Sequence, residues 1–150
     1  MVSDSAQREN VAAAIFHKGF NCAQAVLYAF SEALNLDKEL AFKLSCGFGA
    51  GMGRKQEVCG AVAGGVIVIG IKHGRGENDD RQMMELTYKK TRDLMGRFEN
   101  EHGSCLCREL LRGCDLTTEQ GQAEFKEKDL LKTTCTPCVR SVVRILENIL

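Results

Sequence analysis

The chain has no tryptophan, one proline and two tyrosines in 150 residues, and its 20 basic side chains are cancelled by 20 acidic ones. That balance leaves no broad positive face for a phosphate backbone, so nucleic acid is not an expected partner. No window of eighteen consecutive apolar residues occurs. The uncharged run from Val58 to Ile71 is too short for a bilayer, so no membrane span is expected. The first ten residues, MVSDSAQREN, have neither a basic start nor an apolar stretch, which predicts no secretory leader and a reducing, cytoplasmic setting. Strand signals are also scarce, since no hairpin dipeptide separates two alternating runs.

What remains is apolar residues recurring at three- and four-residue spacing, and this predicts helices. At 150 residues a chain buries about 68–70% of its unfolded surface, enough for a core of its own. The expectation is an all-α, single-domain multi-helix bundle over residues 1–150, with a buried Gly/Ala-rich central helix. A first helix is expected from a cap at Asp4 to about Lys18, with Val11, Ala14 and Ile15 inward and Gly19 as its stop. Asn21 caps a second, in which Cys22, Val26, Phe30 and Leu34 share a stripe, and Asp37 opens a third through Leu44. The segment CGFGAGMGRKQ, 46–56, reads as an irregular glycine-rich connection to the central helix, Glu57 to Lys72. Asn78 or Asp79 caps a long helix to about Asn100 that turns Met84, Tyr88, Thr91, Met95 and Phe98 inward. Ser104 caps CLCRELL, which Gly113 ends, and Thr117 or Thr118 opens a polar helix through Asp129. Thr136 before Pro137 marks the start of the last helix, striped by Val139, Val142, Val143, Leu146 and Ile149. A polar surface helix and this apolar last one could support a homodimer.

Eight cysteines are the excess in the composition. A cytosolic chain with an adequate core needs no staples, so metal binding or thiol redox chemistry is the better explanation. Four of them fall in expected first turns: Cys22 after Asn21, Cys59 after Glu57, Cys107 three after Ser104, and Cys138 after Pro137. A helix amino terminus exposes unpaired N–H groups and favours an anion, so a thiol there is expected to fall from about 8.5 toward 7. Gly60 and Gly64 beside Cys59 permit close approach by another backbone or a cofactor. Their small-xxx-small spacing equally suits helix packing. His17, His73 and His102 lie near expected helix ends and read as caps. GFGAGMG matches no phosphate loop, and Asp79-Asp80 reads as a helix start.

NCAQAVLYAF, GFGAGMGR, CGAVAGG, CRELL and a late cysteine before an amphipathic helix resemble the C-GCAxxG-C-C family of redox-active proteins, over about residues 8 to 148. The resemblance implies a redox role with an iron–sulfur cluster, and it lands on Cys22, Cys59, Cys107 and Cys138. Cys46, Cys105, Cys114 and Cys135 lie beyond that pattern, so Cys105 can stand in for Cys107 and Cys135 for Cys138.

The leading expectation is therefore an iron–sulfur protein that passes electrons to a redox partner protein, its cluster on those four cysteines with Gly60 and Gly64 beside it. One alternative is a thiol–disulfide protein using Cys135 and Cys138 of the C-x-x-C unit. Another is structural zinc on the C-x-C and C-x-x-C pairs. The last is a helical interaction module with inert buried cysteines.

Overall fold

The computed structural model describes residues 3–150. Among them the chain forms helices and turns, with one isolated antiparallel bridge between Val58 and Leu106 and no longer strand. The helices are α1 (Asp4–His17), α2 (Cys22–Ser31), α3 (Lys38–Ser45), α4 (Gly60–His73), α5 (Arg81–His102), α6 (Cys107–Leu110), α7 (Glu119–Glu127) and α8 (Thr136–Ile149). Helix α4 is the central element: it packs on α2, α5 and α8, while α1 closes the other side against α2 and α8. None of the described helices is long and apolar enough to cross a membrane.

The core follows from two small-residue faces and one branched one. Helix α8 buries Val139, Val142, Val143, Ile145, Leu146 and Ile149 along one stripe. Helix α4 meets it with almost no side chain at the contact: a Cβ on Gly65 would stand 2.8 Å from Val142 Cγ1 and 2.9 Å from Leu94 Cδ2. On its other side, a Cβ on Gly64 would stand 2.8 Å from the Ala23 carbonyl oxygen of α2. The conformational cost of glycine inside a helix, about 1 kcal/mol relative to alanine, is thus offset by backbone-close packing on two sides.

Several boundaries differ from expectation for local reasons. Ser3, not Asp4, caps α1, its hydroxyl accepting from the Ala6 amide. The buried face of α1 is Ala12, Ala13, Ile15 and Phe16, so Ile15 lies inward as expected while Val11 and Ala14 are exposed. Asp80, not Asn78 or Asp79, caps α5. That helix is rotated so that Leu94 and Phe98 are its buried pair and Tyr88 lies outside. Asn21, Asp37 and Thr118 cap α2, α3 and α7 as their positions predict.

The last helix does not begin at Thr136 as a free end. A π-helical turn over Leu131–Cys135 runs directly into α8. Pro137 has no N–H and its ring crowds the carbonyl one turn back, and a widened turn relieves both. Cys138 therefore sits within a continuous helix, not in an open first turn.

The glycine contacts separate two substitutions. Gly64→Ala should lower unfolding stability by about 1–3 kcal/mol, because the α2 backbone cannot yield. Gly70→Ala, with nothing within 4 Å of its missing Cβ, should raise it by up to about 1 kcal/mol. Urea denaturation of both variants checks the pair, and equal effects would contradict the packing.

Candidate functional site: a cavity walled by thiols

Each cysteine at this site is placed by a backbone device. Asn21 and Gln24 cap each other reciprocally, the Asn21 side chain accepting from the Gln24 amide at 3.0 Å and the Gln24 side chain from the Asn21 amide at 2.9 Å. This leaves Cys22 as the first residue of α2. Their remaining amide groups donate to the Cys46 and Phe42 carbonyls, tying α2 to the end of α3. Cys59 stands at the N-cap of α4, where the Ala61 and Val62 amides face its sulfur without closing a cap hydrogen bond. Next to it, a Cβ on Gly60 would lie 2.3 Å from the Cys22 sulfur. Only glycine fits there, so Gly60 is what lets the Cys22 sulfur rest against the start of α4.

The connection between α3 and α4 is more ordered than its glycines suggest. Five consecutive residues, Ala50 (φ 54), Gly51 (67), Met52 (71), Gly53 (58) and Arg54 (73), take the left-handed conformation, and Gln56 (59) follows. The Gly53 amide donates to the Gly49 carbonyl at 2.9 Å, so this is one turn of left-handed helix. It brings the Ala50 amide to the Cys22 sulfur. A bridge then pins the far end: the Cys59 amide donates to the Cys105 carbonyl and the Cys107 amide to the Glu57 carbonyl, both at 2.7 Å. The Gln56 side chain, buried under this bridge, donates to the Cys114 carbonyl at 2.8 Å and accepts from the Leu116 amide at 2.9 Å. Gln56 escapes a motif search because a lone glutamine in a basic loop carries no pattern.

These devices converge on a cavity of ≈ 450 Å³ lined by five cysteines: Cys22, Cys59, Cys107, Cys135 and Cys138. Apolar side chains that include Phe16, Phe20, Leu110, Phe125 and Leu131 form most of its wall, and its charged lining residues, Arg54 and Lys126, are both cationic. The four cysteines named from the sequence thus face one space, with Cys135 among them. Gly60 lines the cavity, whereas Gly64 is turned to the Ala23 backbone and serves helix packing. Cys105 points elsewhere, its thiol 3.5 Å from the Met95 carbonyl. The Cys114 thiol donates to the Gly121 carbonyl at 3.1 Å, and Cys46 is exposed. All eight cysteines are free thiols.

The electrostatics reverse the expectation from helix termini. Burial pushes the Cys22 thiol up to about 12, with repulsion from Cys59 adding to it and the Ala50, Ala23 and Cys22 amides pulling only partly back. Cys107 is likewise raised to about 12 by burial and by its neighbours Cys59 and Cys22. Cys59 is raised first by its hydrogen bond with the Cys138 thiol and then by burial, and Cys135 by burial and then by Cys22, Cys59 and Cys107. Desolvation of several like groups in one apolar space outweighs a few amide dipoles.

His102 approaches from α5. Its Nδ1 lies 4.0 Å from the Cys138 sulfur and its Nε2 2.8 Å from the Ser141 hydroxyl. His17 reaches the Thr136 hydroxyl at 2.9 Å, so two of the three histidines bind hydroxyls of α8. Among the described residues, no group of three or more His, Cys, Asp or Glu side chains is arranged so that it could hold a metal ion.

The family model described as "Putative redox-active protein (C_GCAxxG_C_C)" matches residues 20–149, a span that holds all eight cysteines. No curated protein and no solved structure matches the chain.

Thiols held above their ordinary value of 9.0 make the metal-free fold sensitive to alkali. The folded state favours the protonated form, so the stability is fully present below pH 9 and is lost as pH rises toward 12. Each buried thiol steepens the fall by up to about 1.4 kcal/mol per pH unit. Urea midpoints between pH 8 and 11 should fall more steeply for the wild type than for Cys22→Ser, and identical slopes would refute the coupling.

Proposed function

The chain belongs to the C_GCAxxG_C_C family of redox-active proteins, and on that footing we propose that it is an electron-transfer protein holding an iron–sulfur cluster in the thiol-walled cavity. Cys22, Cys59 and Cys107 supply three sulfurs and the Cys135–Cys138 pair the fourth, the usual complement for a [2Fe–2S] or [4Fe–4S] centre. The observation that carries this reading is the convergence of thiols from four separate chain segments on one cavity of ≈ 450 Å³.

Among the described residues the sulfurs are not gathered as around a single ion but are spread around one cavity, and the chemistry of that donor set fits a multi-atom cluster. A lining with five cysteines and no Asp, Glu or His suits soft ions and clusters. Buried thiols that repel one another's charge need a cation before they can ionise together, and a bound metal removes their protons at neutral pH. Amides directed at the Cys22 and Cys59 sulfurs are the kind of hydrogen bond that tunes a cluster potential, and the apolar wall keeps water from it. When bound, the cluster supplies a one-electron centre. Arg54 and Lys126 put positive charge at the mouth, where a redox partner protein would dock.

Two other readings receive less support. Thiol exchange needs a ready thiolate, whereas the Cys135 thiol is pushed up by burial and by its neighbours. A zinc site on both cysteine pairs needs Cys105, whose thiol is turned to the Met95 carbonyl outside the cavity.

Anaerobic purification followed by iron, acid-labile sulfide and zinc analysis tests the proposal. The expected result is iron and sulfide in equal amounts, with iron content reduced about tenfold or more in Cys59→Ser, since even outer-shell changes cost 10–100-fold in metal affinity. Zinc without sulfide would replace the reading with a structural one. Metal-free protein with a reversible Cys135–Cys138 disulfide would replace it with thiol exchange.

A further inference from the structure

Five thiols face a cavity that a four-ligand cluster would fill, so one sulfur is in excess. Resting on the cluster reading above, we propose that Cys135 is the fourth ligand and that Cys138 is an unligated thiol in the wall between two cavities.

The two cysteines differ in what surrounds them. Cys135 packs against both apolar clusters of the molecule: the main core, which contains Cys59, and a smaller one built from Cys107, Leu111, Cys114 and Leu116. It therefore stands on the seam between Cys59 on one side and Cys107 on the other. Cys135 lines the same cavity as Cys22, Cys59 and Cys107, and their charges oppose its ionisation.

Cys138 lies one turn further along, inside the main core alone and 3% exposed. Its sulfur is engaged sideways, hydrogen-bonded with the Cys59 thiol and 4.0 Å from His102 Nδ1. It also lines a second cavity of ≈ 590 Å³, whose walls are polar and include Glu101, His102, Glu109, Arg112 and Glu124. The π-helical turn that ends at Cys135 separates the two roles. Turns of this kind occur frequently at functional sites.

In this arrangement Cys138 is the outer neighbour of a cluster ligand. It hydrogen-bonds the Cys59 sulfur while also lining the polar cavity, and hydrogen bonds to ligating sulfurs raise or lower a cluster potential. Cys138 thereby influences the potential without holding iron.

Wild type, Cys135→Ser and Cys138→Ser, each reconstituted anaerobically with ferrous iron and sulfide, decide the assignment. Cys135→Ser should retain about tenfold less iron and sulfide than wild type. Cys138→Ser should keep the wild-type content and the wild-type spectrum of an all-cysteine cluster, with a shifted midpoint potential. Iron lost from Cys138→Ser, or retained in Cys135→Ser, overturns the assignment while leaving the cluster reading intact. A wild-type chain that takes up neither iron nor sulfide overturns the cluster reading itself. If Cys135→Ser does not fold, the iron content of Cys138→Ser alone still decides.

Discussion

The Cys22 sulfur rests on the bare Cα of Gly60, and the site depends on that contact. A Cβ at Gly60 would stand 2.3 Å from the sulfur, and its other close neighbours are the Phe48 carbonyl oxygen and the Gly49 Cα. One missing methyl group therefore lets the start of α2, the start of α4 and the 48–49 backbone meet at a point. Gly64, one turn along, does the same against Ala23, so the two helices stay close over their first turns. Alanine at both positions would part α2 from α4 and, with them, the Cys22 sulfur from Cys59.

Around that contact the chain accepts strain. Left-handed backbone costs about 1–2 kcal/mol at each non-glycine residue, and Ala50, Met52 and Arg54 all adopt it. The turn persists because its surroundings leave it no alternative. Glu57 donates to the Gly51 carbonyl at 2.9 Å, and Gly51 is pressed so closely on Gln56 and Cys107 that a Cβ would lie 2.6–2.8 Å from them. Strain held this way clusters at functional sites. Here it aims one amide at a thiol and puts the exposed Arg54 in the cavity lining.

The parts of the fold legible in the sequence are those set by neighbouring residues. Asn21, Asp37 and Thr118 are short polar residues just ahead of apolar periodicity, and each caps its helix through its own side chain. The stripe on α8 is legible for the same reason. The rotation of α5 is not, because Leu94 and Met95 are equally apolar and only contact with α4 and α8 chooses between them. The left-handed turn is not legible either, since it depends on a bridge to residues 106 and 107, about fifty positions on. At the site, Cys22 follows from its cap at Asn21, while α4 and α6 begin later than expected, with Cys59 and Leu106, not Glu57 and Ser104, at their N-caps. As a cluster ligand, Cys135 reads in the sequence only as a stand-in for Cys138, because the Thr136-Pro137 start signal favours Cys138, although residues three apart on a helix share a face.

Helix starts mark where Cys22 and Cys59 stand but not how they ionise, since both thiols are raised. An amide terminus stabilises a thiolate only where the anion keeps enough solvation. Gathering several sulfurs between apolar side chains removes that solvation and adds mutual repulsion, so each added thiol makes the others harder to ionise. A nucleophilic thiol needs the opposite, a single sulfur near a fixed cation at an accessible edge. In this cavity the cations, Arg54 and Lys126, stand on exposed side chains at the rim, and the sulfurs lie within. The same crowding that suppresses a lone thiolate suits a group whose own positive charge enters among the sulfurs. In the proposed cluster, amide hydrogens too weak to ionise a bare thiol would act on sulfurs ionised by the metal, where they would adjust a potential instead of a pKa.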